Sequence, residues 1–231
     1  MVEDVIIVGA GPAGLAAALQ LRRYGRGVRL FEGARLGGLL WNANRVENYP
    51  GFPGGVTGPD LVRAFLAQVA ACDVTVTPET VLELTWQDGL FRARTPAGIY
   101  RGRAAVVASG TRPRPLAGFA IPEALLDRVA YEVAGLLDLT GKQVVMVGAG
   151  DAAFDYALNL GRQNSVIILN RSDQVQCLPL LWKRARACPA ITSRPGPTVV
   201  RLAVRPESGM TVECSSPRGP LALAADHLIG A

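Results

Sequence analysis

The stretch Val5-Ile6-Ile7-Val8-Gly9-Ala10-Gly11-Pro12-Ala13-Gly14-Leu15-Ala16-Ala17-Ala18 constrains the fold more than any other part of the chain. Four β-branched residues in a row predict a strand buried on both faces. A Gly-x-Gly-x-x-Gly frame follows at once, and then an Ala-rich helix with Leu15, Leu19 and Leu21. In that order the residues suit a dinucleotide. Gly9 permits a tight turn out of the strand, Gly11 lets a pyrophosphate approach the backbone, and Gly14 lets the helix pack close to the strand. Pro12 and Ala13 open the helix, whose N–H groups and positive dipole end then face the phosphates. The next strand, Val28-Arg29-Leu30-Phe31, ends in Glu32, placed to accept hydrogen bonds from ribose hydroxyls. The competing reading is a Gly-rich turn in an ordinary parallel sheet.

The second half repeats the theme. Gln143-Val144-Val145-Met146-Val147-Gly148-Ala149-Gly150-Asp151-Ala152-Ala153 is again strand, glycine turn and helix, with Ala153 at the third glycine position, and Val166-Ile167-Ile168-Leu169 is the next strand. Two nucleotide-type units in one chain predict an α/β fold with two Rossmann-like units, carrying two dinucleotides that exchange electrons. Between them the period changes to two. Val74-Thr75-Val76, Val81 to Leu84, Leu90 to Ala93 and Tyr100 to Arg103 read as short strands of a small antiparallel insertion, separated by the turns Gln87-Asp88-Gly89 and Thr95-Pro96-Ala97-Gly98. Ala104 to Ala108 returns as a buried strand, and the Pro-rich run from Arg112 to Pro122 is the expected domain crossing. The expected domains are therefore residues 1–112 and 113–231. Around Pro50, Gly51, Pro53, Gly54 and Gly55 a long ordered loop is expected, followed by a helix with Thr57 as N-cap and an apolar face of Leu61, Val62, Phe65, Leu66 and Val69.

Composition narrows the function. With 231 residues, 49% hydrophobic and 19% charged, the chain can bury a sizeable core. It has no run of 18 apolar residues, and its acidic start, Met1-Val2-Glu3-Asp4, leads straight into a strand. A cytoplasmic protein without a membrane partner is expected. The net charge of +5 is spread along the chain. Its densest patch, Lys183-Arg184-Ala185-Arg186, reads as a solvated helix face, so no nucleic-acid partner is expected. Cys72, Cys177, Cys188 and Cys214 stand alone, without Cys-x-x-Cys or a His cluster, which argues against a metal site and a local redox dithiol.

The chain resembles the thioredoxin reductase-like flavoproteins of the pyridine nucleotide-disulfide oxidoreductase superfamily. The resemblance rests on Gly9 to Gly14, Gly37-Gly38, Glu47-Asn48-Tyr49-Pro50-Gly51-Phe52-Pro53, Thr57-Gly58-Pro59, Ala108-Ser109-Gly110 and Gly148 to Ala153. It implies FAD in the first unit and NADPH or NADH in the second. Gly9, Gly11, Pro12, Ala13 and Gly14 would then hold the FAD pyrophosphate and Glu32 its ribose. Gly38, Leu39 and Asn48 would lie along the flavin, Val81 would flank the adenine, and Ser109 and Gly110 would close over the cofactor. Gly148, Gly150, Asp151, Ala152 and Ala153 would hold the pyrophosphate of the nicotinamide nucleotide. The resemblance also implies a homodimer.

Three departures shape the functional expectation. Where the family carries Cys-x-x-Cys, this chain reads Tyr131-Glu132-Val133-Ala134-Gly135-Leu136, so dithiol exchange at the flavin has no thiol to run on. Where the family reads the NADPH 2′-phosphate with several cations, the stretch Asn170 to Gln176 keeps only Arg171, and Asp173 points to NADH. The chain closes at Asp226 to Ala231, read as the last strand of the second unit, and the family's returning flavin-binding segment is expected to be absent. The expected function is hydride transfer from NAD(P)H to FAD and on to an unknown small-molecule or protein acceptor. The alternative is a non-catalytic nucleotide-binding or interaction protein. Glu132 is a candidate proton donor or a solvent-facing acid, His227 a candidate base or a packing histidine, and Trp41 a flavin contact or a core residue.

Overall fold

The computed structural model describes residues 1–206 and 209–231, and the chain divides into two compact units, Met1–Thr111 and Arg112–Ala231.

In the first unit, β1 (Val2–Val8) runs parallel to β2 (Val28–Phe31) on one side and to β6 (Ile99–Val107) on the other. β3 (Thr75–Thr77) extends the parallel part beyond β2, while β5 (Leu90–Arg94) and β4 (Glu83–Gln87) extend β6 as an antiparallel meander. The order β3-β2-β1-β6-β5-β4 explains why β1 is apolar throughout its second half. Val5 and Ile7 face α1 (Pro12–Arg23) and α2 (Gly58–Ala71), in a core with Leu15, Ala18, Leu61 and Phe65. Ile6 faces the other way, into a smaller cluster with Phe31 and Ala93. One strand thus supplies two cores, as a period of two dictates. α2 begins as the sequence predicts: the Thr57 hydroxyl accepts from the Asp60 N–H at 3.2 Å.

The expected strand at Val81 to Leu84 begins two residues later, at Glu83. Val81 packs instead against the Ile6, Phe31 and Ala93 cluster, and the Leu82 N–H donates to the Arg94 carbonyl at 2.8 Å as a lead-in to β4. Burial of one apolar residue outweighed its β-propensity.

In the second unit a parallel sheet has the order β10 (Ile191–Pro195), β9 (Ser165–Asn170), β8 (Gln143–Val147), β14 (His227–Gly230), β7 (Val129–Ala130). Val144 and Met146 of β8 face α3 (Asp151–Leu160) and α4 (Pro179–Ala187), with Phe154, Ala157 and Ile168. Val145 faces the opposite layer, the meander β11 (Thr198–Val204), β12 (Met210–Ser215) and β13 (Leu221–Ala225), with Val199, Leu202 and Val212. Asn164 ties the lower end together. Its buried amide accepts from the Lys142 N–H at 3.0 Å and donates to the carbonyls of Leu139 and Leu160 at 2.8 and 2.9 Å. Among the described residues no helix is long and apolar enough to cross a membrane.

Candidate dinucleotide sites

Each unit places its first long strand at a switch point. From β1 the chain crosses to β2 on one side while β6 lies on the other, and β8 stands in the same relation to β9 and β14. Ligands of open α/β sheets bind at such points, beyond the carboxyl ends of the strands. Both glycine turns emerge there.

In the first turn Gly9 has φ +100°, and a Cβ on it would collide with the Ala108 carbonyl. A Cβ on Gly14 would drive into the Gly9 carbonyl. These two glycines are thus required by the protein's own packing. Gly11 is different: its φ of −70° suits any residue, and a Cβ there meets nothing within 4 Å. The open space lies at the N-terminus of α1, where no side chain caps the helix, Pro12 occupies the first turn and no acid follows. Ala13 and Gly14 bring free N–H groups to this end, so the turn is a cradle for an anion.

Glu32, at the end of β2, is held over the same turn. Its Oε2 accepts from the Ala10 N–H and its Oε1 from the Ala34 N–H, both at 2.9 Å. Each oxygen keeps a lone pair for a ribose hydroxyl. The Gly37-Gly38 loop is drawn in by the Gly37 N–H, which donates to the Ala10 carbonyl at 2.8 Å, and a Cβ on Gly38 would touch the Gly11 Cα at 3.4 Å. Leu39 follows on the 3-10 turn Gly38–Asn42 and is exposed. Ser109 is brought beside Gly9, and Gly110 follows it on the same exit from β6. These residues converge on one turn. Asn48 lies on the Pro-rich loop and lines a shallow depression formed by residues 47 to 53. Val81 stands half-buried in the sheet core described above.

The predicted alternatives for Trp41 resolve toward a structural role. Its Nε1–H donates to the Leu36 carbonyl at 2.6 Å, and the Arg35 guanidinium covers its ring at 3.8 Å. The indole therefore holds the Gly37-Gly38 loop in shape.

The second turn repeats the design. Gly148 has φ +145°, and a Cβ on it would enter the Ala231 carbonyl. Gly150 caps α3 without a side-chain bond, and a Cβ on it meets nothing within 4 Å. Ala153 is fully buried, filling the close-packing position that Gly14 fills in the first unit. Asp151 stands in the first helical turn, where its charge would oppose an anion, but its Oδ1 is engaged by the Leu178 N–H at 2.7 Å. Ala152 is exposed beside it. A cavity of about 680 Å³ opens above this turn, lined by Gly148 and Gly150, by Asn170, Arg171 and Ser172 at the end of β9, and by Thr198 and Gly230. Arg114 and the prolines on either side of it line the cavity as well. In the sequence that segment reads as a domain crossing. Its one signal was an arginine locked between two prolines.

Asn170, also missed, is buried and turns the loop after β9: its Nδ2 donates to the Gln174 carbonyl at 2.8 Å and its Oδ1 accepts from the Ser172 N–H at 3.3 Å. Asp173 is exposed and stands outside the cavity lining.

The remaining candidates separate from the cavity. His227 opens β14, whose far end, Gly230, reaches the cavity, roughly 10 Å along the strand. Burial, then the nearby Arg128, holds its pKa below 6.5, and its Nδ1 has no hydrogen-bond partner among the described residues. It is a packing histidine. Glu132 follows β7 at the carboxyl end of the sheet, exposed. Tyr156 on α3 has its pKa pushed up to about 12, first by burial and then by the charges of Glu132 and Asp155. Burial and Asp151 push up the Cys177 thiol, and burial alone that of Cys214. Both shifts favour the protonated thiol over the thiolate. Among the described residues no cluster of His, Cys, Asp or Glu could hold a metal.

Two switch-point cradles of this kind, one with an acid held over it, have the form of dinucleotide-binding turns. The chain belongs to the pyridine nucleotide-disulphide oxidoreductase family, whose profile matches residues 3–215, and it is similar to thioredoxin reductases. It is 35% identical over 196 residues to a thioredoxin reductase of Streptomyces clavuligerus, covering 83% of this chain and 61% of that protein. It is 30% identical over 183 residues to a ferredoxin–NADP reductase of Streptococcus pneumoniae, covering 76% of this chain and 56% of that one. The chain thus spans less than two thirds of the length of these curated relatives. Among solved structures, Lactococcus lactis thioredoxin reductase shares the fold with a TM-score of 0.90 at 23% identity, over 99% of this chain and 76% of that one.

Proposed function

We propose that the chain is an FAD-dependent NAD(P)H oxidoreductase that delivers electrons to an acceptor other than a vicinal dithiol of its own. The observation that carries this reading is the pair of cradles. Gly11 and Gly150 each leave open space at an uncapped helix N-terminus, and nothing in the protein's own packing demands glycine at either position. Space kept free in this way fits a pyrophosphate.

The residues present fit FAD in the first unit. The amides opening α1 would neutralise the pyrophosphate, and the Glu32 carboxylate, already fixed by the Ala10 and Ala34 amides, would accept from the ribose. The Gly37-Gly38 loop would close one side of the site, pinned to Ala10. Bound FAD would supply the hydride chemistry with a nicotinamide nucleotide. In the second unit the amides opening α3 and the guanidinium of Arg171 would hold the nucleotide's phosphates. The acceptor follows from what stands at residues 131–134: Tyr, Glu, Val and Ala offer no thiol, and Cys177 and Cys214 are protonated by burial. Electrons would therefore leave to a separate molecule, and the likeness to a ferredoxin–NADP reductase supports a protein acceptor as readily as a small one.

The same thiol-free segment favours a second reading, a nucleotide-binding protein without turnover. An absorbance spectrum from about 300 to 550 nm decides between them. Flavin bands near stoichiometry that bleach on adding NADH or NADPH support the oxidoreductase. Protein that retains no flavin from excess FAD, yet binds a nicotinamide nucleotide, supports the second reading and overturns the first.

A further inference from the structure

Glu79 lies on the connection between β3 and β4, in a stretch that no motif marks. Its half-buried carboxylate is gripped by hydroxyls from two other parts of the first unit. The buried Thr95 hydroxyl, just past β5, donates to Oε2, and the Tyr100 hydroxyl, on β6, donates to Oε1 at 2.9 Å. The bond to Glu79 holds the Tyr100 pKa above its ordinary 10, so the phenol keeps the proton it donates. Hydrogen bonds to an ionised carboxylate are stronger than those between neutral groups.

These contacts close around Glu32. The Thr77 carbonyl accepts from the N–H groups of both Glu32 and Glu79, at 3.1 and 2.8 Å. On one side of Glu32, the Phe31 ring meets the Tyr100 ring edge-on, with centroids 5.0 Å apart. On the other side, Gly33 lies directly against Thr80: a Cβ on Gly33 would land on the Thr80 hydroxyl and come within 2.9 Å of the Thr80 Cα. Glu79 joins the two sides, because Tyr100 is its hydrogen-bond partner and Thr80 is its neighbour in the chain. Residues 31–33 are thus bracketed by a ring of contacts that Glu79 completes. The Glu32 carboxylate, presented from this bracket, accepts from the Ala10 and Ala34 N–H groups. Such bonds weaken steeply with misalignment, so the backbone that aims the carboxylate governs them.

We propose that Glu79 is a positioning residue for Glu32: by tying Tyr100 to the segment that carries Thr80, it sets the angle at which the Glu32 carboxylate is held over the first glycine turn. Its effect on a bound dinucleotide passes through Glu32, a step that rests on reading Glu32 as the ribose-holding acid. Removing Glu79 frees the Glu32 carboxylate while leaving the core of β1 and its helices formed.

The first test needs no ligand. Amide hydrogen exchange of the full chain is followed by NMR in the wild type, Glu79→Ala, Glu79→Gln and Tyr100→Phe. The Ala10 and Ala34 N–H groups report on the Glu32 carboxylate, and the Val5 N–H, bonded to the Gly27 carbonyl at 3.0 Å, reports on the core of the same unit. Glu79→Ala should speed exchange at Ala10 and Ala34 by about tenfold and at Val5 by less than about twofold. Tyr100→Phe, which keeps the ring against Phe31, should speed the same two amides by about threefold, and it carries the comparison alone should Glu79→Ala fail to fold. Glu79→Gln should keep the wild-type rates, because a carboxamide still bonds both hydroxyls. Unchanged rates at Ala10 and Ala34, or a rise of equal size at Val5, overturn the proposal. The second test is a titration with FAD read by flavin fluorescence. Glu79→Ala should weaken binding about tenfold when Glu32 is present and less than about twofold in a Glu32→Ala background. Equal losses in the two backgrounds overturn the proposal. If the wild type takes up no FAD, or Glu32→Ala binds it unchanged, the ribose role of Glu32 fails instead, and the exchange rates still decide whether Glu79 positions it.

Discussion

Gly11 and Gly14 are three residues apart in one motif, yet alanine at the two positions should act on different properties. At Gly11 the added methyl meets nothing within 4 Å and the backbone φ of −70° is ordinary. Two small effects on stability oppose each other there: alanine is a poorer N-cap than glycine by a few tenths of a kcal/mol to about 1 kcal/mol, and it removes about 0.4–1 kcal/mol of unfolded-state freedom. Gly11→Ala should therefore fold within about 1 kcal/mol of the wild type. At Gly14 the methyl would sit inside the Gly9 carbonyl, with the Ala108 Cβ only 3.5 Å away, so α1 must back off β1. Overpacking of this kind costs about 1–3 kcal/mol, and a shift of the helix bearing Leu15 and Ala18 adds to it. The assay is thermal unfolding with and without FAD, followed by circular dichroism. FAD at a hundred times its Kd should stabilise the wild type by about 2.7 kcal/mol, roughly 5–10 °C for a chain of this size. Gly11→Ala should match the wild-type midpoint without FAD and show little or no shift with it. Gly14→Ala should melt lower without ligand. An FAD-induced shift of wild-type size in Gly11→Ala would refute the assignment of that space to the pyrophosphate. A Gly14→Ala protein as stable as the wild type would refute the packing argument.

Other substitutions probe single contacts. Glu32→Gln turns an acceptor into an NH₂ group facing the Ala10 or the Ala34 N–H; it should cost about 1–3 kcal/mol in denaturant unfolding and weaken FAD binding, and unchanged FAD affinity would remove Glu32 from the site. Asn164→Ala strands the Lys142 N–H and the Leu139 and Leu160 carbonyls, a loss of about 2–4 kcal/mol, which a denaturant midpoint would measure. His227 gives a pH dependence. Its folded pKa lies below 6.5 because burial, Arg128 and Lys142 outweigh the attraction of Asp226 and Asp127. Above 6.5 it is neutral in both states; as the pH falls from 6.5 toward its folded pKa, the unfolded chain binds the proton first and stability declines. His227→Gln should flatten the stability profile in that window, and an unaltered slope would show that other groups govern it.

The two strand, glycine-turn and helix units were legible because their determinants are local. A buried strand, a glycine turn and a helix follow one another within about fifteen residues, and the β1 and β8 registers obey the period that the sequence announces. The reading of His227 to Gly230 as a strand of the second unit also holds, but its neighbours were not readable. β7 is two residues long, and Val129 pairs with Leu228 across most of the unit. No local pattern encodes a partner so distant. The meander β11 to β13 was missed for a related reason: it is stabilised by burying Val199, Leu202 and Val212 against Val145 on the far side of the sheet. The candidate sites divide along the same line. Gly9, Gly11, Gly14 and Glu32 belong to a single turn and its neighbouring strand, and the structure gathers them on one cradle. The lining of the second cleft depends on which distant segments meet in space. Read along the chain, Arg171 and Asp173 stand two residues apart; in the fold Arg171 lines the cleft together with Arg114, and Asp173 stands outside the lining. A cavity's lining is set over its whole surface, so it changes when a distant segment folds onto the rim. The glycine cradle is local, and the rest of the second cleft's lining comes from separate parts of the chain.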